Sequence, residues 1–272
     1  MPFSTSKHAK IYSQQLDFWQ GAAKMSNRSV YNIHEDCDLR DTQTMSSAKS
    51  INGILFDLDG TLLDTAQDLA AALNHVLTSQ QKKPLSIDII RPAISSGVAG
   101  LLNLGIQIEV NDPIFPQLRK QFLDYYAQHI CVHTHLFPGV ETLINYLQEK
   151  KWSWGIVTNK SAILTEHLIK NFPLLNKAKC IIAGDTLKYS KPHPQPLLHA
   201  CQCIDCLPEN CIYVGDAKRD IEAANAAGMY SLIALYGYIN SNDDVTKWAA
   251  TDRTSSPLDI IKYLDQFHSG LQ

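Results

Sequence analysis

An apolar run from Ile51 to Leu58, closing on Asp57, Asp59 and Gly60, constrains this chain more than any other feature of its sequence. A short continuous apolar stretch bounded by turn residues is the pattern of a strand buried on both faces, which belongs in a parallel sheet covered by helices. Asp64 then stands three residues before Gln67 in a capping-box arrangement, and Ala66, Leu69, Ala70, Leu73, Val76 and Leu77 follow at helical spacing. A strand followed by a capped helix opens an α/β fold.

The alternation then stops. Between Asp64 and Pro138 the pattern predicts helices and no strand: Asp112-Pro113 is a start signal, and Phe115, Leu118, Phe122, Tyr125 and Tyr126 form an apolar stripe. After Phe137-Pro138-Gly139 it resumes, with a helix carrying Val140, Leu143, Ile144 and Leu147 and a strand at 154–157. A helix is expected after Ser161, and further strands near 180–183, 212–214 and 231–234. That order specifies a Rossmann-like, mostly parallel sheet with helices on both faces. The chain therefore divides into a flexible polar extension (1–50), an α/β core (51–63 and 139–272) and an inserted all-helical cap (64–138). Met45, six residues before the first strand, is a candidate start codon.

Composition narrows the partners. A chain of 272 residues with 45% hydrophobic and 19% charged residues can bury a sizeable core, and its net charge of −3 leaves no broad basic field for a nucleic-acid backbone. No apolar run approaches the roughly 20 residues of a bilayer-spanning helix, and the first residues lack the apolar core of a secretory signal. A cytoplasmic protein with neither membrane nor nucleic-acid partner is expected; monomer and homodimer both stay open. Of seven cysteines, Cys180, Cys201, Cys203, Cys206 and Cys211 fall close together. A zinc site there conflicts with a C-x-C pair inside the helix expected after Pro196, whose side chains point apart, so reduced and mostly buried thiols are expected.

In open α/β sheets ligands collect at the carboxyl ends of strands, and four such ends here carry reactive residues. Asp57-Leu58-Asp59-Gly60-Thr61 ends the first. Asp216 and Asp220, in Val214-Gly215-Asp216-Ala217-Lys218-Arg219-Asp220, end another. Gathered carboxylates repel unless a cation or a proton intervenes, and a few hard oxygen ligands suit Mg²⁺. Thr158-Asn159 offers a hydroxyl and backbone N–H groups, with Ser161 as a cap for the next helix, whose N-terminus favours anions. Lys191 offers a point positive charge.

In this order the four motifs resemble those of the haloacid dehalogenase superfamily of phosphohydrolases. The resemblance spans about 51–264, and the position of the helical insert is similar to that of the phosphoglycolate phosphatase-like branch. It implies that Asp57 attacks phosphorus to form an aspartyl phosphate and that Asp59 protonates the leaving oxygen and then activates water. It also implies that Mg²⁺ sits on the Asp57 carboxylate, the Asp59 backbone carbonyl and Asp216. By the same resemblance Thr158, the Asn159 backbone and Lys191 hold phosphoryl oxygens, Lys191 also restrains Asp57, and Asp220 lies near the metal or orients Lys191. The substrate implied is a small phosphorylated metabolite.

Ser95, in Arg91-Pro92-Ala93-Ile94-Ser95-Ser96-Gly97, stands where that branch commonly has glycine, which weighs against strict use of phosphoglycolate. His129, His133 and His135, whose spacing fits no standard metal motif, with Gly237-Tyr238-Ile239 and Trp248, are similar to a subgroup acting on N-acetylmuramic acid 6-phosphate. A phosphate-accepting receiver, a switch rather than an enzyme, is the competing class; the acid two residues beyond Asp57 and the long insert oppose it. A sugar phosphomutase shares all four motifs and would differ by producing an isomer instead of inorganic phosphate.

Overall fold

The computed structural model describes residues 51–240 and 242–268, and the expected extension with its Met45 lies outside them. Six parallel strands form the main sheet in the order β5-β4-β1-β6-β7-β8. They are β1 (Gly53–Phe56), β4 (Ser153–Val157), β5 (Ile181–Ile182), β6 (Cys211–Gly215), β7 (Tyr230–Ala234) and β8 (Asp252–Thr254). All of β1 is buried, as its continuous apolar run requires, and Phe56 packs edge-on against Trp154 of β4 at 6.4 Å between ring centroids. Helices α5 (Val140–Glu149), α6 (Ala162–Ile169), α7 (Gln195–Cys203), α8 (Lys218–Ala226) and α9 (Pro257–His268) alternate with these strands. The strand order reverses at β1, which has β4 on one side and β6 on the other, so a crevice opens at the carboxyl ends of these three strands.

Four helices, α1 (Ala66–Ser79), α2 (Ile87–Ile90), α3 (Gly97–Ile106) and α4 (Phe115–Gln128), lie between β1 and α5 in the chain, within the same compact unit as the sheet. The stripe expected on α4 is buried at Phe115, Leu118, Phe122 and Tyr126. The ends of this stretch differ from the sequence pattern. A pair of two-residue strands, β2 (Leu63–Asp64) and β3 (His135–Leu136), forms an antiparallel ladder that closes the base of the helices; two residues are too few to show a period of 2. Asp68 reinforces that closure, its buried carboxylate accepting hydrogen bonds from the His133 and Thr134 N–H groups and the Thr134 hydroxyl at 2.7–3.2 Å.

The capping box expected at Asp64 is not formed. Thr65 occupies the N-cap position and donates its N–H to the Tyr238 hydroxyl at 2.6 Å, while Asp64 pairs with Arg91 at 2.7 Å. Asp64 keeps a local hydrogen bond from the Ala66 N–H at 3.2 Å beside this tertiary pair. Residues Ile87–Ile106 form a stretch as long and apolar as a bilayer-spanning helix, although the apolar runs seen in the sequence were all shorter. It is broken by a 3₁₀ segment, Arg91–Ser96, and by Gly97 at φ +68°, which is what makes it three short pieces. Strand β8 also escaped the sequence pattern, because Asp252-Arg253-Thr254 is polar at an exposed sheet edge.

The cysteines divide by burial: Cys201, Cys206 and Cys211 are buried, Cys131 and Cys180 half-buried and Cys203 exposed. Helix α7 ends at Cys203, so Cys206 lies beyond it. Among the described residues no Cys or His belongs to a cluster of three metal-ligating side chains.

Candidate active site

Asp57 follows directly on β1, and its backbone N–H continues the ladder to the Val214 carbonyl at 2.9 Å. Its Oδ1 accepts from the Leu58 N–H at 2.7 Å and pairs with the Lys191 ammonium at 3.0 Å. Among the described residues no hydrogen bond is made to Oδ2. One oxygen is thus held in place and the other is left for a ligand.

Lys191 is buried behind Asp57, its Nζ donating to the Val157 carbonyl at 2.8 Å and the Tyr213 hydroxyl at 2.7 Å and pairing with Asp220 at 2.7 Å. An ammonium has three protons, and four oxygens surround this one. Asp220 in turn accepts from the Ala217 N–H at 3.0 Å, capping α8. Lys191 therefore stands beneath the crevice, and the lysine on its wall is Lys160, which pairs with Asp59 at 3.1 Å. Burial alone would lower the pKa of Lys160; Asp59 and the Tyr126 hydroxyl outweigh it and hold the amine charged. Asp59 also accepts from the Thr65 hydroxyl at 2.8 Å, and its carbonyl oxygen accepts no backbone hydrogen bond among the described residues.

Asp216 follows β6. Its Oδ2 accepts from the Tyr238 N–H at 2.9 Å and from the Ser95 hydroxyl at 3.1 Å, whereas Oδ1 has, among the described residues, only the Thr61 hydroxyl at 3.3 Å. Carboxylate oxygens of Asp57, Asp216 and Asp220 lie within 4.8 Å of one another. Burial, and then repulsion among these groups, pushes the Asp216 carboxyl up to about 7. Burial likewise raises Asp57 to about 6, although Lys191 works against it. This arrangement resists full ionisation by itself and could bind a metal ion, whose charge would relieve both burdens.

Gly60 and Gly237 make the close approach possible. Gly60 turns at φ +86°, and a Cβ on either glycine would fall on the Asp216 side chain. Gly237→Ala is accordingly expected to cut turnover at least tenfold, about 1.4 kcal/mol in the barrier, while the far-ultraviolet circular dichroism stays native. Wild-type rates in that variant would show that the contact is unimportant.

Asp57, Asp59, Thr158 and Asn159 line one cleft of about 480 Å³, under an apolar wall from α3 and α4. The Thr158 hydroxyl accepts from the Lys160 N–H at 3.2 Å, and the Asn159 amide is tied to the Lys191 backbone at 2.8 and 3.1 Å. Ser161 occupies the N-cap position of α6 without a side-chain hydrogen bond; the Asp185 carboxylate accepts from the Ala162 N–H at 2.7 Å instead. Contacts from the inserted helices reach the same place: the Ser95 hydroxyl is 3.1 Å from both Asp216 Oδ2 and the Tyr238 carbonyl, and Arg219 donates to the Ser95 carbonyl. His129 and His135 bond to nearby backbone at 2.9 and 3.0 Å, and neither they nor His133 line the cleft. Tyr238 does line it, whereas Trp248 packs with Ile221 and Ile233 in a separate cluster.

Sequence reasoning missed Lys160, Tyr126 and Tyr213. Lys160 was within reach, since it follows Thr158-Asn159 on the same strand-end loop. The two tyrosines read as apolar stripe and strand interior, and only the fold turns their hydroxyls toward lysines.

A parallel sheet with acids, a lysine and a threonine at the ends of neighbouring strands defines a hydrolase of the α/β class with an inserted helical segment. Residues 54–234 match the family model for haloacid dehalogenase-like hydrolases. The chain is 38% identical over 204 residues to a phosphoglycolate phosphatase of Xylella fastidiosa, covering 75% of this chain and 89% of that one. It is 33% identical over 220 residues to an N-acetylmuramic acid 6-phosphate phosphatase of Pseudomonas putida, covering 81% and 99%. A crystal structure of a predicted phosphoglycolate phosphatase from Haemophilus somnus superposes with a TM-score of 0.70 at 27% identity, over 79% of this chain and 98% of that one. This chain belongs to the haloacid dehalogenase-like hydrolases, and within them it is a phosphatase.

Proposed function

We propose that the protein hydrolyses the phosphate monoester of a small metabolite through a covalent phosphate on Asp57, with Mg²⁺ as cofactor. The observation that carries this reading is the asymmetry of Asp57, which lines the cleft: Oδ1 is fixed by Leu58 and Lys191, and Oδ2 accepts no hydrogen bond among the described residues. Oδ2 attacks phosphorus as the bond to the leaving oxygen breaks, and the Asp59 carboxyl gives that oxygen its proton. Asp59, now a carboxylate, takes a proton from water attacking the phosphorus. Inorganic phosphate leaves and Asp57 is regenerated.

Lys191 acts from behind as a positioning residue, holding Asp57 and Asp220 apart in charge. The Thr158 hydroxyl and the backbone at Asn159 face the phosphoryl oxygens. The oxygen donor set fits a hard divalent cation, which Asp57, Asp216 and the Asp59 carbonyl would hold; Asp220 is already committed to Lys191 and to the Ala217 N–H. When bound, Mg²⁺ supplies positive charge that offsets repulsion between the carboxylate and the phosphate dianion.

For the substrate, the names of the relatives support a phosphoglycolate phosphatase-like activity. N-acetylmuramic acid 6-phosphate is the second reading, favoured by a cleft whose 480 Å³ falls among pockets that take larger ligands, about 300–1,000 Å³. Phosphate release measured as kcat/KM on 2-phosphoglycolate, N-acetylmuramic acid 6-phosphate and common sugar phosphates decides between them. A chain that retains its phosphate for minutes, without turning over p-nitrophenyl phosphate, would be a receiver instead.

A further inference from the structure

Among the described residues the helical wall of the cleft carries one exposed cation with no ion pair or hydrogen bond. Arg119 follows Leu118 on α4 and faces the cleft beside Phe122 and Leu123, outside the buried stripe of that helix. Among the described residues no ion pair or hydrogen bond reaches its guanidinium. The other cations at or near the cleft each have a partner: Lys160 has Asp59 and Tyr126, Lys191 has Asp57 and Asp220, Arg91 has Asp64, and Arg219, although its buried Nε has none, donates to the Ser95 carbonyl from the end of its guanidinium. Among the described residues none of the acids that share the cleft forms an ion pair with Arg119; Asp59 pairs with Lys160, and Asp185 accepts from the Ala162 N–H.

The same cleft is lined by the apolar side chains Leu69, Leu101, Phe122 and Leu164 together with polar ones such as Ser96 and Ser161. An uncommitted guanidinium beside an apolar wall presents a rigid fork of donors suited to carboxylate or phosphate oxygens, bound two at a time. We propose that Arg119 binds a second acidic group on the substrate, so that the cleft selects phosphate monoesters that also carry an acid. This assignment rests on the reading of Asp57 as the phosphate-accepting end. It makes Arg119 a specificity-determining residue on the side of the cleft that supplies no chemistry.

The test compares wild type, Arg119→Ala and Arg119→Lys, in the full chain with Mg²⁺, by phosphate release. The acid-bearing substrates are 2-phosphoglycolate, 6-phosphogluconate and fructose 1,6-bisphosphate; glucose 6-phosphate and p-nitrophenyl phosphate carry no second acid. Arg119→Ala is expected to lose about thirtyfold or more in kcat/KM on at least one acid-bearing ester, chiefly through KM, as suits a lost hydrogen bond between charged groups. That loss should exceed the loss on the two others at least tenfold, and Arg119→Lys should recover part of it. The larger loss, on the carboxylates or on the bisphosphate, identifies which acid is read. Equal losses on all five, or none, overturn the assignment of Arg119 alone. If the wild type hydrolyses none of them, the phosphatase mechanism fails and the inference fails with it.

Discussion

Asp57→Asn is expected to lower kcat by at least ~10³-fold, about 4 kcal/mol of barrier at 1.36 kcal/mol per tenfold, while the urea unfolding midpoint measured without added metal does not fall. The two halves of that result have different origins. An amide cannot form the covalent phosphate, and so the reaction loses its first step. Stability is retained because the folded state does not favour this carboxylate as an anion: burial raises its pKa from 3.8 to about 6. A carboxyl bound to its proton more tightly in the folded than in the unfolded chain opposes folding at neutral pH, where both states release the proton, and that opposition fades as pH falls below about 6. Asparagine keeps the shape and removes the charge, and Lys191 still has Asp220 as its counter-ion. Substantial turnover by the variant with Mg²⁺ present would rule out covalent catalysis at Asp57.

Chelation provides the second large effect. With EDTA in excess, phosphate release is expected to fall at least ~100-fold, and a matching excess of Mg²⁺ should restore it. The reason is the carboxylate crowding at the ends of β1 and β6, where Asp57, Asp216 and Asp220 already repel one another before a phosphate dianion arrives. A rate indifferent to the chelator would remove the metal role given to Asp216.

How much of this was legible in the sequence follows from the range of the forces involved. Strands β1, β4, β6 and β7 are continuous apolar runs, a signal written in adjacent residues, and the expected positions agree with the observed ones to within a residue or two. The acids at strand ends were legible for the same reason, since each sits beside its own strand. What could not be read were choices between a local and a distant partner. Asp64 and Gln67 have the spacing of a capping box, but Arg91 and Tyr238 engage Asp64 and Thr65 across the fold, and Asp64 meets the helix through the Ala66 N–H instead. Ser161 lost its capping hydrogen bond to Asp185 in the same way. Lys191 illustrates the limit most directly: its charge was evident, yet whether it faced the ligand or stood behind Asp57 depended on Tyr213 and Val157, from strands far away in sequence.

The small ladder of β2 and β3 has a consequence for how such a protein can change. Leu63 lies opposite Leu136 and Asp64 opposite His135, so the chain leaves the sheet and returns to it at almost one point, a strand's spacing of about 4.8 Å apart. Everything between is attached like a drawer: a segment of different length, sequence or helix count could be spliced in wherever its ends meet at that distance, provided that it replaces the hydrogen bonds of Ser95 with Asp216 and Arg219. Such an architecture would let a lineage exchange one wall of the cleft while the strand ends that carry the acids keep their places.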